Sequence, residues 1–374
     1  MDVFTLADDA GDLAHQPALA AHCHRLTVER VHPKLARLRS LPFLLTGKPL
    51  TLPYFYSAAL QAQIHQALFL HSYDRIFVYC SAMAQYVDSI DGIPVVMDFV
   101  DVDSDKWMQY AAVKRFPLSV VYRREGRALR AYERKLCEKA SCIVVTTERE
   151  AQLVRQIEPA ARVHVVPNGV DTSYFDPQTV PRVAGAPTAI FTGDMSYFPN
   201  EEAVIYFARS VFPLIRRSVA GARFLIVGRN PGPKVQKLRH IEGVEVTGFV
   251  PDVRTYLARA QVAVAPFMIA AGIQNKILEA MAYGLPVVAT PRTAQGLSAD
   301  VADMVEMGST AEELASKIVL LLRDFPLARS RGMESRRRVA DHYSWDCALE
   351  QLLQLLENPG TTEFPRPRTQ SFLA

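Results

Sequence analysis

The sequence predicts an α/β protein built on two doubly wound parallel sheets, and three observations carry that expectation. Short apolar runs alternate with amphipathic helical segments along most of the 374 residues, the pattern of strands joined by helical crossovers. The alternation stops in a poorly patterned, proline-dotted stretch over residues 171–187 and then starts again. Late in the second half, residues 262–290 read as strand, glycine turn at Gly272, helix and strand, one crossover unit of a parallel sheet.

In the first half, residues 3–6 predict a short strand, and residues 35–45 mix basic and apolar side chains around a proline and predict no single element. Residues 58–71 predict a helix, and buried strands follow over 74–79 and 94–98 with a helix over 82–90 between them. A long helix is expected over 117–140, a strand over 141–146, a helix over 148–157 and a strand over 163–166. Residues 167–171 (PNGVD) form a sharp turn by composition.

The second half opens on three strands, 189–193, 223–228 and 244–248, each closing on a glycine: Gly193, Gly228 and Gly248. A turn explains any one of these glycines alone. Together with Gly272 they point to backbone approaching a ligand at the carboxyl edge of the sheet, beside Asp194, Arg229 and Phe249. A helix over 200–211 is expected to start on Asn200 as its cap. After Gly272, apolar Ile273, Ile277, Leu278 and Met281 mark a one-sided helix that Gly284 stops, and 286–290 is the next strand. The start of that helix, with Ile273, Gln274 and Asn275, turns N–H groups and a positive dipole end toward the turn, which suits a phosphate. Lys276 and Glu279 stand one turn apart there, a cation for a diphosphate and a carboxylate for ribose hydroxyls; a solvated helix face is the plain alternative for each. Residues 345–355 form a last amphipathic helix capped by Ser344, followed by a proline-rich tail expected to be disordered. The expected domains are 1–170 and 188–341, joined by the 171–187 linker, with a crossover helix over 342–357 and the tail over 358–374.

Composition narrows the function classes. Apolar residues make up 49% and charged residues 22% of the chain, as in an ordinary globular protein, and a net charge of +3 gives no footprint for nucleic acid. Five scattered cysteines without a CxxC pair suit reduced thiols in the cytoplasm. The acidic start carries no secretory signal and no run reaches the length of a membrane span, so any membrane role is peripheral. Residues 122–135 (YRREGRALRAYERK) are either a solvated basic face or a contact for an anionic membrane. Asp101, Asp103 and Asp105 suggest a metal loop, but the positions that a calcium loop fills with glycine and glutamate hold Lys106 and Ala112. Asp98 and Asp101 at a strand end, with Ser104 capping the next helix, are the simpler reading.

Four stretches, 98–107 (DFVDVDSDKW), 166–171 (VPNGVD), 191–200 (FTGDMSYFPN) and 272–281 (GIQNKILEAM), resemble a retaining GT-B glycosyltransferase of the family 4-like type. The resemblance runs to about residue 356 and is greatest to the sugar transferases associated with PEP-CTERM/XrtA exosortase systems. It implies two Rossmann-like domains facing a cleft, with the last helix crossing back to the first. It further implies sugar transfer from a nucleotide-sugar donor to a polyprenyl-linked or other saccharide acceptor in exopolysaccharide biosynthesis, with retention of configuration. No metal and no other cofactor is expected; the setting is the cytoplasm, with peripheral contact at the inner membrane. Asp101, Lys276 and Glu279 are the implied catalytic residues, and Asp98 and Ser104 lie on the acceptor side.

The chain departs from the family pattern in four places. The first of two donor-site glutamates falls at Ala271, and only the second, Glu279, is kept. The arginine and lysine that relatives carry after the first strand of this half fall near Asp194 and Asn200, leaving Lys276 to meet the diphosphate. A catalytic-region histidine falls at Val100, followed by Asp101. Relatives also begin with a strand, glycine-rich loop and helix ahead of the segment matching residues 3–6, so a truncated or late-started chain is expected to be a poor catalyst. An inactive nucleotide-binding scaffold is the other class the sequence allows, and a sugar-nucleotide epimerase on the same architecture is a weaker one.

Overall fold

The computed structural model describes residues 1–268 and 273–358. The expected turn at Gly272 and the tail beyond Asn358 therefore lie outside the described residues. The chain divides into two compact units. One comprises residues 1–145 and 150–165 with the last turn of the final helix, and the other residues 146–149 and 166–353.

In the first unit, β1 (Asp2–Ala7) pairs in parallel with β2 (Arg25–Arg30). A second parallel sheet runs in the order β3 (Ile76–Tyr79), β4 (Val95–Asp98), β5 (Cys142–Val145), β6 (Val163–Val165). Five helices matter below: α1 (Pro33–Ser40), α2 (Ala58–Leu70), α3 (Asp103–Val113), α4 (Leu118–Lys139) and α5 (Glu148–Ile157). Val78, Met97, Ile143 and Val145 from the strands meet Leu136, Val154 and Ile157 from the helices in one buried cluster. The unpatterned 35–45 stretch is α1 followed by a 3₁₀ turn over Leu41–Leu45.

The helix expected over 82–90 is only a 3₁₀ turn, Ser81–Tyr86. A tertiary anchor overrides local propensity there. The Tyr86 ring is buried, its hydroxyl donates to the Phe55 carbonyl at 2.6 Å and it accepts the Ser57 N–H at 2.7 Å. Helix α4 is more than a basic face. It buries Glu125, which accepts the Leu50 and Thr51 N–H groups at 2.8 and 3.0 Å, and Glu133, which accepts the Ser104 N–H and hydroxyl. Buried carboxylates that collect backbone donors fasten neighbouring segments to this helix. Burial pushes the Glu133 carboxyl up to about 7, with the Ser104 bonds pulling the other way.

The second unit holds a six-stranded parallel sheet made of β7 (Thr188–Thr192), β8 (Arg223–Val227), β9 (Val244–Gly248), β10 (Val262–Ala265), β11 (Val287–Ala289) and β12 (Val305–Met307). Its strand order is β12-β11-β10-β7-β8-β9. Runs such as VAVA in β10 are buried throughout, as helices on both faces require. Helix α6 (Phe198–Tyr206) follows β7 and continues through a π-helical turn, Phe207–Val211, into a further helix, Phe212–Ser218. Helix α7 (Asn275–Ala282) follows β10. It ends at Gly284, φ 81°, where the Leu285 N–H reaches back to the Ala280 carbonyl at 2.9 Å and the Gly284 N–H to Met281 at 2.8 Å, a Schellman closure. Helices α8 (Ala311–Arg323), α9 (Phe325–His342) and α10 (Trp345–Glu357) are the last elements among the described residues, and Ser344 caps α10 through the Cys347 N–H.

Candidate functional site

In the second unit, β7 and β10 are sheet neighbours although about seventy residues separate them, and the strand order runs outward from that pair in both directions. In open α/β sheets the crevice that takes a ligand lies at the carboxyl ends of the strands at such a reversal of strand order. The helices that follow β7 and β10 are α6 and α7, and they bring Asn200 and Lys276 to that place.

Backbone forms its floor. Gly193 and Gly228 follow β7 and β8 at φ 150° and 146°, and a Cβ on Gly228 would stand 1.8 Å from the Gly193 carbonyl oxygen. The Gly193 N–H bonds to the Val227 carbonyl at 3.0 Å and the Gly228 N–H to the Gly248 carbonyl at 3.2 Å, so all three strand ends are tied together. Only glycine permits that approach. A Cβ on Gly193 would lie 2.9 Å from Asn200 Nδ2 and 3.1 Å from Lys276 Nζ, so both side chains sit directly over bare backbone.

Asn200 is not the cap of α6. The helix starts two residues earlier, with Pro199 in its first turn, and Asn200 turns inward, 4% exposed. Its amide nitrogen donates to the Asp194 carbonyl at 2.7 Å and its amide oxygen accepts from Lys276 Nζ at 2.5 Å. The ammonium also lies over the Phe191 and Phe267 rings, 5.0 and 4.7 Å from their centroids. Burial pushes Lys276 down to about 8, partly opposed by the Glu279 charge. Burial likewise raises the Glu279 carboxyl, opposed by Lys276. A cation and a carboxylate, both desolvated and a helical turn apart in a crevice, form the kind of perturbed pair that marks a functional site.

The remaining second-unit residues singled out from sequence divide into groups. Asp194 does not reach outward. Its carboxylate accepts from Ser196 N and Oγ at 2.8 and 2.7 Å and from Arg229 Nε at 2.7 Å. Burial acts to raise its pKa, but these bonds win and hold it below the usual carboxylate value. Asp194 is thus a strut that aims the largely exposed Arg229. Gly248, φ 77°, and the exposed Phe249 close the far side of the strand ends. Ile273 is buried in the core, which leaves only its backbone for a ligand. Asn275 is exposed and accepts from Asn168 Nδ2 at 3.0 Å, and Gln274 stands at the cap position of α7. Asn168 was not singled out from sequence, although the VPNGVD motif contains it. Thr192, beside Lys276, gave no signal of its own in the sequence.

In the first unit, Asp98 closes β4 with its carboxylate accepting the Val100 N–H at 2.8 Å, and burial pushes it up to about 6, with the Asp101 charge adding to the rise. Val100 and Cys80, φ 62° and 70°, place two non-glycine residues in the left-handed region at adjacent strand ends. Such strain gathers at functional edges. Ser104 is different: it sits inside the first turn of α3, not at its cap, and both its N–H and its hydroxyl are spent on buried Glu133. It is a fastening residue, withdrawn from the acceptor-side set. The Asp103 carboxylate accepts from Ser81 Oγ at 2.9 Å and from Lys106, and Asp105 accepts from Gln109 at 2.7 Å. Among the described residues, the one group of three or more His, Cys, Asp or Glu side chains close enough to share an ion is Asp8, Asp9 and Asp12, all exposed; Asp101, Asp103 and Asp105 do not form one.

Comparison with known proteins agrees with this architecture. Residues 1–169 match a family model described as glycosyl transferase 4-like domain, and residues 186–324 match one described as glycosyl transferases group 1. A GDP-mannose-dependent α-(1-6)-phosphatidylinositol monomannoside mannosyltransferase from Mycobacterium tuberculosis is 27% identical over 238 residues, 57% of this chain and 60% of that protein. The match thus spans under two thirds of that relative's length. Among solved structures, sucrose-phosphate synthase from Thermosynechococcus elongatus superposes with a TM-score of 0.68 at 18% identity, covering 96% of this chain and 95% of that one. Anabaena HepE, solved in complex with UDP and glucose, gives a TM-score of 0.64 at 14% identity over 96% of this chain and 100% of that one. The fold is GT-B, two Rossmann-like domains. Among the described residues no helix is long and apolar enough to cross a membrane.

Proposed function

We propose that this chain, which has the GT-B fold and resembles group 1 and 4-like glycosyltransferases over most of its length, transfers a sugar from a nucleotide-sugar donor. One observation carries the reading above all others. The Lys276 ammonium is delivered by α7 to the switch point between β7 and β10, above the bare Gly193 backbone, and is fixed there by Asn200 and two aromatic rings.

The chemistry follows from charge. A nucleotide sugar breaks at the bond between the anomeric carbon and the diphosphate, so negative charge grows on the departing phosphate. A preorganised cation with the N–H groups of a helix start stabilises that charge where it develops. Lys276 and the start of α7 supply both, and Arg229, braced by Asp194, adds a second cation at the rim. Glu279 accepts the donor's ribose hydroxyls. Lys276 thus takes the place of the family's strand-end lysine, whose position holds Asn200. With these cations in the site no divalent metal is required, and turnover should continue in EDTA.

The finer reading concerns acceptor and setting. The resemblance favours retention of configuration and a polyprenyl-linked saccharide acceptor at the cytoplasmic face of the inner membrane, within an exopolysaccharide system of the PEP-CTERM/XrtA type. Asp98, at the strained strand ends of the first unit, lies on the acceptor side, with Asp101 the catalytic residue close to it in the chain; the mycobacterial relative's name also specifies a lipid-borne acceptor. Calorimetry with UDP, GDP and ADP is the first test. Binding of at least one, with hydrogen-exchange protection within residues 185–340, is expected. Protection confined to the first unit would reject the assignment. Binding without transfer to any polyprenyl-linked saccharide would favour a nucleotide-binding scaffold, a reading that the loss of the first donor glutamate to Ala271 keeps in view.

A further inference from the structure

Residues 33–48 and 113–120 of the first unit expose side chains that a soluble surface rarely leaves bare in such number. Helix α1 packs inward through its small residues, Ala36 and Ser40, and turns Leu35 and Leu38 outward, each more than 60% exposed. Leu41 and Leu45 continue that side, and Leu45 is 95% exposed. Between α3 and α4, Phe116 is 82% exposed, with Leu118 and Val120 open beside it.

The two segments are joined. The Arg124 guanidinium on α4 donates to the carbonyls of Phe43 at 2.6 Å, Lys48 at 2.7 Å and Thr46, so the loop carrying Leu45 wraps the arginine. Its neighbour Glu125 holds the next residues, Leu50 and Thr51. Val120 lies one turn before Arg124 on the same helix face, which sets the exposed start of α4 beside that loop.

Charge selects the partner. The sequence has no Asp or Glu between Arg30 and Tyr73, and none between Lys106 and Arg124. Lys34, Arg37, Lys48, Arg115 and Arg123 are exposed around the leucine and phenylalanine tips. A symmetric contact with a second copy would set cation against cation. Apolar tips within an acid-free cationic rim instead match the boundary between anionic headgroups and acyl chains.

We propose that this surface docks the protein on an anionic bilayer, with Leu45 and Phe116 entering the headgroup boundary and the surrounding lysines and arginines meeting lipid phosphates. The lipid-linked acceptor proposed above would give this docking its use, but the evidence for the surface does not depend on it.

The test is co-sedimentation of the full chain with phosphatidylcholine vesicles, with and without phosphatidylglycerol, in the absence of nucleotide and acceptor. Binding should require phosphatidylglycerol and weaken with added salt. The double change Leu45→Ser and Phe116→Ser should lower it by about tenfold or more, and Lys34→Gln with Arg37→Gln and Lys48→Gln should lower it too and reduce its salt dependence. These changes fall on exposed side chains, so melting temperature and nucleoside diphosphate affinity should stay at the wild-type level. Wild-type protein that stays in the supernatant overturns the proposal, as do variants that bind like wild type. A wild-type dimer that the double change dissociates would assign the surface to contact between copies and also overturn it. Vesicle binding without nucleotide binding would leave this inference standing and remove the donor-site reading.

Discussion

Lys276→Met probes the proposed donor site from two sides. Methionine keeps the length of the side chain and fits between Phe191 and Phe267, but it removes the charge. The wild-type ammonium titrates near 8 in the fold against 10.5 when solvated, so keeping it charged at neutral pH costs roughly 3 kcal/mol. Removing it leaves the buried Asn200 oxygen without its donor, a loss of about 1–3 kcal/mol that opposes the gain. The absolute stability change is therefore small, and its pH dependence is the decisive quantity. Between the folded and unfolded pKa values the unfolded chain binds more protons, so wild-type stability rises with pH across that window while the variant lacks this contribution. The stability of the variant relative to wild type should fall by about 2 kcal/mol from about pH 7 to about pH 9.5. Denaturant melts of both proteins at several pH values measure this, and calorimetry at neutral pH measures the nucleotide. Diphosphate affinity should fall by about tenfold to a hundredfold, the weight of a hydrogen bond to a charged group. A pH-independent stability difference would show that Lys276 is solvated, and unchanged affinity would remove it from the donor site.

Other outcomes follow from the same geometry. Glu279→Gln should keep the fold and weaken nucleotide binding by about tenfold to a hundredfold, because it replaces a charged acceptor of ribose hydroxyls with a neutral one; an unchanged dissociation constant would reject the ribose role. Gly228→Ala should destabilise the second unit by roughly 2–4 kcal/mol, since the new methyl would meet the Gly193 carbonyl at 1.8 Å; a melting temperature equal to wild type would show that the strand ends are looser than described. Wild-type nucleotide affinity should decline as pH rises through about 8, where Lys276 loses its proton; an affinity constant to about pH 10 would assign the diphosphate to Arg229 instead.

The sheets were legible because their strands are buried on both faces and leave unbroken apolar runs, as in residues 262–265 and 142–145. The strand-end glycines were legible for a related reason. Gly193 and Gly228 are required by close backbone contacts, at the sheet edge where the donor site is proposed. Side-chain roles set by distant partners were not legible. Asn200 looks like a helix cap when only its own segment is read, since asparagine before an apolar run is the usual signal. Its true partner, Lys276, lies seventy-six residues away and meets it only because β7 and β10 become neighbours in the sheet. Ser104 misleads in the same way, because buried Glu133 takes the hydroxyl that a cap would use. The 81–86 segment has helical composition, yet a buried tyrosine bonded to residues thirty positions earlier sets its shape. In each case the local signal names a residue type suited to several jobs, and topology assigns the job. The most informative residue of the site is accordingly the one whose local reading failed. Asn200 falls near the place where the resemblance implies a cation, and in the fold its amide oxygen accepts from the Lys276 ammonium that α7 carries. The charge therefore stands over the bare Gly193 backbone although no lysine is present in the first helix of this half to announce it, and the proposed donor role of Lys276 rests on that placement.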